Sequence, residues 1–158
     1  MTAAGAALGL ALTLLVGAPP RGLEGGRLVS TVRFGADVAE LDATADGVLA
    51  AGKAALEEHS KWILYAVGHT DDRGTSASNL ALGLVRAKTV RDWMIRNGVP
   101  AGSIQAISRG ESEPLQAGKS EEDRAANRRV EIWGAPEIAP PDGRPLAWLS
   151  WLHREVAA

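Results

Sequence analysis

The sequence contains no cysteine and has only one Phe and one Tyr. The absence of cysteine excludes disulfides, thiolate metal sites, iron–sulfur clusters, a cysteine nucleophile and a lipid anchor attached to a cysteine. The shortage of Phe and Tyr leaves little for stacking on nucleic-acid bases. The formal net charge is -2, and the basic residues are scattered among as many acids, so no basic face is available for phosphates. We therefore expect no nucleic-acid partner.

The length of 158 residues suits one domain with its own core plus tails, and is too short for two domains of ordinary size. Composition divides the chain into five parts. They are a signal peptide or membrane anchor (residues 1–20), a linker (21–27), the folded domain (28–134), a Pro-rich linker (135–145) and a short amphipathic tail (146–158).

An unbroken apolar run occupies residues 3–18 and ends before Pro19 and Pro20. It is short for a membrane span and long for the apolar part of a signal peptide. We expect an export signal or a membrane anchor, with a buried helix or the remnant of a longer segment as the alternative. Either leading interpretation places the domain in the periplasm, membrane-associated or exported, with the membrane as a partner of the N-terminal segment.

The C-terminal tail concentrates large apolar side chains, among them Trp148 and Trp151, beside Arg154 and Glu155. This pattern predicts a short amphipathic helix. We expect it to pack on its own domain; contact with a membrane surface or a partner is the alternative.

Within residues 28–134 the apolar pattern predicts strands at 28–34, 62–67, 104–108 and 128–133, and helices at about 41–56 and 76–96. The order is β-α-β-α-β-β, which predicts an α+β two-layer sandwich with a mixed sheet and both helices on one face. The strand-helix-strand units imply parallel neighbours, and the last strand should join antiparallel. Residues 110–127 contain almost nothing apolar and are expected to form a long functional loop.

The apolar face of the second predicted helix is interrupted by Asn79 and Arg86, about two turns apart. Burying an unpaired guanidinium would cost roughly several kcal/mol, so Arg86 must find a carboxylate or an anion. The nearest candidate in sequence is Asp71, in the turn before the helix. Gly83 lies between Asn79 and Arg86, and we interpret it as room for a ligand.

A metal site is the alternative from another class, because His69 stands beside Asp71 and Asp72. It would make the protein a metal-dependent hydrolase acting through a bound water. His59 and His153 have no ligand spacing to His69, and no catalytic triad or phosphate loop is visible. We therefore expect a binding module without cofactor or metal, and no enzyme.

Three separated motifs carry a family resemblance. They are VGHTDDRGTSASNLALGLVRAKTV from Val67, a Gly-Glu-x-x-Pro turn at Gly110, and NRRVEI from Asn127. In this order and spacing the chain resembles the OmpA-like peptidoglycan-binding domain over roughly residues 29–133. The resemblance implies the same β-α-β-α-β-β sandwich. It also implies noncovalent binding of the peptide stem of peptidoglycan through a diaminopimelate residue.

The resemblance also implies roles for single residues. Asp71 would hold the ammonium group of the ligand, and Arg86 its carboxylate. Further pocket positions fall on Asn79, Arg128, Thr70 and Asp37. An Asp and an Arg at fixed separation select a centre that carries both charges, as the free end of diaminopimelate does. Without ligand, we expect Asp71 and Arg86 to neutralise each other, directly or through water. The same domain could instead anchor a motor or secretion machine to the wall. A homodimer is also possible from the sequence.

Overall fold

The computed structural model describes residue 23 and residues 25–136. The strands are β1 (Arg27–Arg33), β2 (Trp62–His69), β3 (Ile104–Gly110) and β4 (Arg129–Pro136). The helices are α1 (Ala45–Glu58), α2 (Ser76–Arg96) and α3 (Glu121–Asn127), with a 3-10 turn at Ala101–Ser103. The predicted α+β order is confirmed, with α3 added. The predictions for residues 1–20 and 146–158 lie outside the described residues.

The four strands form one mixed sheet in the order β1-β4-β2-β3. β2 and β3 are parallel, and β4 is antiparallel to both β1 and β2. The expectation of parallel neighbours is therefore right for β2 and β3 and wrong for β1 and β2, which β4 separates. The connection through α1 skips one strand position, and the last strand fills it. The residue pattern of a single strand does not indicate that another strand will be inserted beside it.

The helices α1 and α2 pack on one face of the sheet, as expected for a two-layer sandwich. The core between the layers includes Leu49 of α1, Leu64 of β2, Val90 and Met94 of α2, and Ile132 of β4, all fully buried. The intervening strand residues, such as Tyr65 and Trp133, form a second buried cluster on the other face. β2 is buried along nearly its whole length, which explains its continuous apolar run.

Helix α2 begins at a capping box in which the Thr75 and Ser78 side chains bond each other's backbone N–H groups. It ends before Asn97 and Gly98, and Gly98 has a φ of 96°. The buried face carries Asn79 and Arg86 together with its apolar residues, as the periodicity predicts. Within the described part of the chain, no helix is long and apolar enough to cross a membrane.

Gly83 faces Gly68 of β2 at very short range. A Cβ on Gly68 would overlap the Gly83 carbonyl, and a Cβ on Gly83 would lie 2.9 Å from the Gly68 carbonyl oxygen. The two glycines let helix and strand approach each other closely. The interpretation of Gly83 as room for a ligand is therefore wrong, because backbone and the Ser108 side chain fill that space.

The polar stretch 110–127 is only partly a loop, because it contains α3. The Ser120 hydroxyl caps this helix by accepting from the Asp123 N–H, and the Asp123 carboxylate accepts from the Ser120 N–H. A helix of two turns on the surface needs no apolar stripe, so apolar periodicity did not predict it. The Ser-x-x-Asp cap followed by acidic residues was the available signal.

Candidate functional site

The predicted site residues come together at one end of the sheet, where β2 ends and β4 begins. Thr70 and Asp71 follow the end of β2, Asn79 and Arg86 lie on α2, and Arg128 directly precedes β4. These five are buried, with exposed fractions of 7% or less. The loop after β1 lies beside them and carries the sixth, Asp37, which is exposed.

Arg86 is completely buried and donates to three main-chain carbonyls. Its Nε bonds the oxygen of Val38 at 2.8 Å, Nη1 that of His69 at 3.1 Å, and Nη2 that of Gly35 at 2.8 Å. The guanidinium carbon also lies 5.3 Å from the centre of the Phe34 ring. Burial and the charge of Arg128 lower the pKa of Arg86, although its ordinary value is so high that the group stays charged.

Asp71 is held by two other arginines. Arg73 donates to its carboxylate through Nη2 at 2.7 Å and through its backbone N at 3.0 Å. Arg128 donates through Nη1 at 3.2 Å. Burial alone would raise the pKa of Asp71, but the hydrogen bonds from Arg73 and Arg128 outweigh it and lower the pKa to about 2. Asp71 is therefore a carboxylate throughout the physiological pH range.

The expected direct neutralisation of Asp71 by Arg86 is wrong in this structure. Arg86 reaches carbonyl oxygens of the loop after β1 and of β2, while Asp71 reaches Arg73 and Arg128. A buried guanidinium needs acceptors, and backbone carbonyls supply them without a second buried charge. Asp71 still favours the charged form of Arg86 through space.

Arg128 connects the site to two further elements. Its Nη2 pairs with Glu121 of α3 at 2.9 Å, and its Nε donates to the carbonyl of Phe34 at 3.2 Å. The side chain is 9% exposed. Asp71, Glu121 and the Phe34 carbonyl thus hold the Arg128 guanidinium from three separate segments, and its role toward a ligand stays a prediction.

Asn79 contacts a residue to which the sequence assigned no role. Its side-chain nitrogen donates to Glu111 Oε2 at 2.6 Å, and the Ser76 hydroxyl donates to Glu111 Oε1 at 2.7 Å. Glu111 therefore orients the first turn of α2 from the end of β3. Its place in the Gly-Glu-x-x-Pro turn was the signal that could have identified it.

Thr70 and Asp37 shape the backbone around the pocket. The Thr70 N–H donates to the Gly110 carbonyl at 2.9 Å, and its hydroxyl donates to the Asp71 carbonyl at 3.0 Å. Asp37 has a φ of 52°, a left-handed conformation that Asp tolerates better than most residues. Its negative charge also favours the charged form of Arg86.

The residues of the metal alternative do not converge. Asp72 pairs with Arg124 at 2.8 Å, and Nε2 of His69 lies 3.7 Å from Glu131 Oε2 on the other side of the sheet from α2. Among the described residues, no group of three or more His, Cys, Asp and Glu side chains could hold a metal ion. Within these limits the hydrolase alternative has no ligand set.

The fold and the site define a two-layer α+β domain with buried charged residues where its second strand meets its second helix. The chain matches the OmpA family over residues 33–128 and belongs to that family.

Individual relatives are consistent with membership of the OmpA family. The chain is 43% identical over 65 residues to the peptidoglycan-associated lipoprotein of Pseudomonas aeruginosa, covering 41% of this chain and 39% of the relative. It thus spans about two fifths of the length of such curated relatives.

Two solved structures share the fold. The peptidoglycan-associated lipoprotein of Burkholderia pseudomallei has a TM-score of 0.64 and 32% identity over 67% of this chain and 90% of that chain. The cell wall anchor of the type VI secretion system of Pseudomonas aeruginosa has a TM-score of 0.58 and 31% identity over 68% and 80%.

Proposed function

We propose that the domain binds peptidoglycan noncovalently through the free end of a diaminopimelate residue and so tethers an envelope component to the cell wall. One observation carries this proposal. A carboxylate, Asp71, and a guanidinium, Arg86, are both buried and lie close enough for the Asp71 charge to favour the charged form of Arg86, yet they do not hydrogen-bond each other. The OmpA family match and the peptidoglycan-associated relatives support peptidoglycan as the partner.

The free end of diaminopimelate carries an ammonium and a carboxylate on one carbon. Asp71 accepts from the ammonium, and Arg86 donates to the carboxylate. An ordinary peptide interior presents neither charge, so the pair of residues distinguishes the stem from most peptides. The selection needs two unlike charges at a fixed separation and no reaction step. The domain therefore acts as a binding module and not as an enzyme.

Ligand binding at Arg86 requires a change in the loop after β1. The carbonyls of Gly35 and Val38 occupy two of the five guanidinium N–H groups, and the His69 carbonyl occupies a third. Because Arg86 has no solvent exposure, this loop shifts aside to admit the ligand carboxylate. The carboxylate then bonds the two remaining N–H groups or replaces the loop carbonyls.

The proposed ligand places the domain in the bacterial cell envelope, facing the wall from the periplasm, with residues 1–20 as export signal or membrane anchor. A second candidate is a wall-anchoring subunit of a motor or secretion machine. The similarity to the wall anchor of a type VI secretion system favours it. The two candidates share the wall ligand and differ in the partner that is tethered.

Sedimentation with purified peptidoglycan tests the proposal. The wild-type chain should sediment with walls whose stems carry diaminopimelate, and far less with walls in which lysine takes its place, because lysine has no carboxylate at the end of its side chain. Asp71→Asn should stay in the supernatant with both walls. Equal sedimentation of wild type and Asp71→Asn would contradict the proposed site.

A further inference from the structure

We propose that Arg73 lowers the affinity of this site for an ammonium-bearing ligand by occupying the place of the ligand ammonium on Asp71. The inference rests on the proposed function and concerns a residue with no assigned role. Arg73 lies in the turn between β2 and α2, two residues after Asp71. Its guanidinium is the cation that Asp71 holds most closely in the unliganded domain, at 2.7 Å.

The carboxylate of Asp71 has no acceptor site left for a ligand. Oδ1 accepts from the Arg73 backbone N at 3.0 Å and from its Nε at 3.3 Å. Oδ2 accepts from Arg73 Nη2 at 2.7 Å and from Arg128 Nη1 at 3.2 Å. A carboxylate offers about four lone-pair positions, so an incoming ammonium must replace a donor that is already bound.

Arg73 is the donor that can leave. Its side chain is 46% exposed, whereas that of Arg128 is 9% exposed. Arg128 is also fixed by Glu121 and by the Phe34 carbonyl, while the side chain of Arg73 is held by hydrogen bonds to Asp71. The Arg73 guanidinium can swing into solvent, and its backbone N–H stays on Oδ1 to keep the carboxylate oriented.

This exchange requires a cation on the ligand. A ligand that carries an ammonium replaces one cation on Asp71 by another, so little electrostatic energy is lost. A ligand whose amine is acylated is neutral and gains no charged contact with Asp71, whether or not Arg73 is present. Arg73 therefore competes with the ligand ammonium and reduces the affinity for a stem end that carries one.

Calorimetric titration at low ionic strength tests the role of Arg73. The probes are a soluble stem peptide ending in diaminopimelate and the same peptide with its side-chain amine acetylated. Arg73→Ala should bind the free-amine peptide about two- to fivefold more tightly than wild type, the range measured for exposed ion pairs. Arg73→Lys keeps a competing cation and should stay near wild type.

Arg91→Ala is the matched control. Arg91 also pairs with a neighbouring aspartate, Asp92, at 3.0 Å and is 35% exposed, but it lies on α2 outside the site. Its affinity should equal that of wild type. The acetylated peptide should bind Arg73→Ala and wild type equally weakly.

The results separate the two proposals. If wild type binds and Arg73→Ala binds equally or more weakly, the role of Arg73 is contradicted and the proposed function stands. A gain that appears equally with the acetylated peptide would also contradict it, because no ammonium is then involved. If wild type binds neither peptide nor peptidoglycan, the proposed function fails and this inference fails with it.

Discussion

Asp71 and Arg86 are both buried at the same end of the sheet, yet neither is the other's hydrogen-bond partner. Asp71 accepts from Arg73 and Arg128, and Arg86 donates to the carbonyls of Gly35, Val38 and His69. Asp71 therefore contacts cationic guanidinium groups of the protein, as it would contact the ammonium of a ligand. Arg86 contacts carbonyl oxygens of the protein, as it would contact the carboxylate of a ligand. Under the proposed function, a zwitterionic ligand takes the place of the Arg73 side chain on Asp71 and of carbonyl contacts on Arg86.

The three carbonyl contacts of Arg86 predict a structural role besides ligand binding. Arg86→Ala should lower the free energy of unfolding by about 3 kcal/mol, because three main-chain carbonyls, that of His69 in a buried position, lose their donors. Urea denaturation measures this loss. Arg96→Ala, at the exposed end of α2, should change stability by less than about 0.5 kcal/mol. Full stability of Arg86→Ala would show that these carbonyls find other donors.

The close approach of Gly83 to β2 predicts opposite effects of alanine at two helical glycines. Gly83→Ala should destabilise by about 2 kcal/mol, because the added methyl meets the Gly68 carbonyl. Gly47 lies in α1 with open space around it, so Gly47→Ala should stabilise by about 0.5 to 1 kcal/mol. Thermal unfolding of both variants tests this. A stabilising Gly83→Ala would disprove the tight packing of α2 on β2.

Glu111 is predicted to hold the pocket end of α2. Glu111→Ala removes the acceptor of Asn79 and Ser76 and should lower the free energy of unfolding by about 1 to 2 kcal/mol. It should also weaken binding of the stem peptide, because the Asn79 amide loses its fixed orientation. The exposed Glu57 of α1 supplies the control variant Glu57→Ala. If Glu111→Ala matches that control in both measurements, Glu111 does not organise the site.

A pH dependence is predicted at Glu131. It accepts from Arg129 Nε and from Trp133 Nε1, both at 2.7 Å. Burial alone would raise its pKa, but the contact with His69, the charge of Arg129 and the hydrogen bond from Trp133 lower it from 4.5 to about 2. The folded state therefore binds the proton less tightly than the unfolded state. Glu131 contributes stability above about pH 4.5, and the contribution is lost as the pH falls through 2.

Glu131→Gln tests this sign. At pH 7 the variant should be less stable than wild type by roughly 3 kcal/mol, because Arg129 loses its buried carboxylate. Chemical denaturation at a series of pH values should show the difference shrinking between about pH 4.5 and 2. A difference that stays constant over this range would mean that the pKa of Glu131 is not lowered by folding.

The local sequence pattern correctly predicted the bounds of helix α2 and which of its residues are buried. The bounds of α2 followed from its apolar stripe and from the Asn97-Gly98 stop, and the burial of Asn79 and Arg86 followed from their places on that stripe. The family resemblance predicted a larger set of site residues, which the fold brings together at one end of the sheet. Their roles toward a ligand stay predictions.

Contacts between distant segments were not predictable in this way. The acceptors of Arg86 at Gly35 and Val38 depend on the path of a loop about fifty residues earlier in the chain. The insertion of β4 between β1 and β2, and the bonds from Asn79 to Glu111, likewise join remote parts of the sequence. Arg73 was visible in the motif itself, but only the structure shows that its guanidinium contacts Asp71.

The most direct test of the central claim is a calorimetric titration of the wild-type domain with two soluble stem peptides. They differ only in whether the free carboxylate of diaminopimelate is intact or amidated. Amidation removes the charged partner of Arg86 and should weaken binding by about 1.5 to 3 kcal/mol, roughly ten- to a hundredfold. Asp71→Asn should bind the intact peptide weakly. Equal affinity of the wild type for both peptides would contradict the recognition of a zwitterion by Asp71 and Arg86.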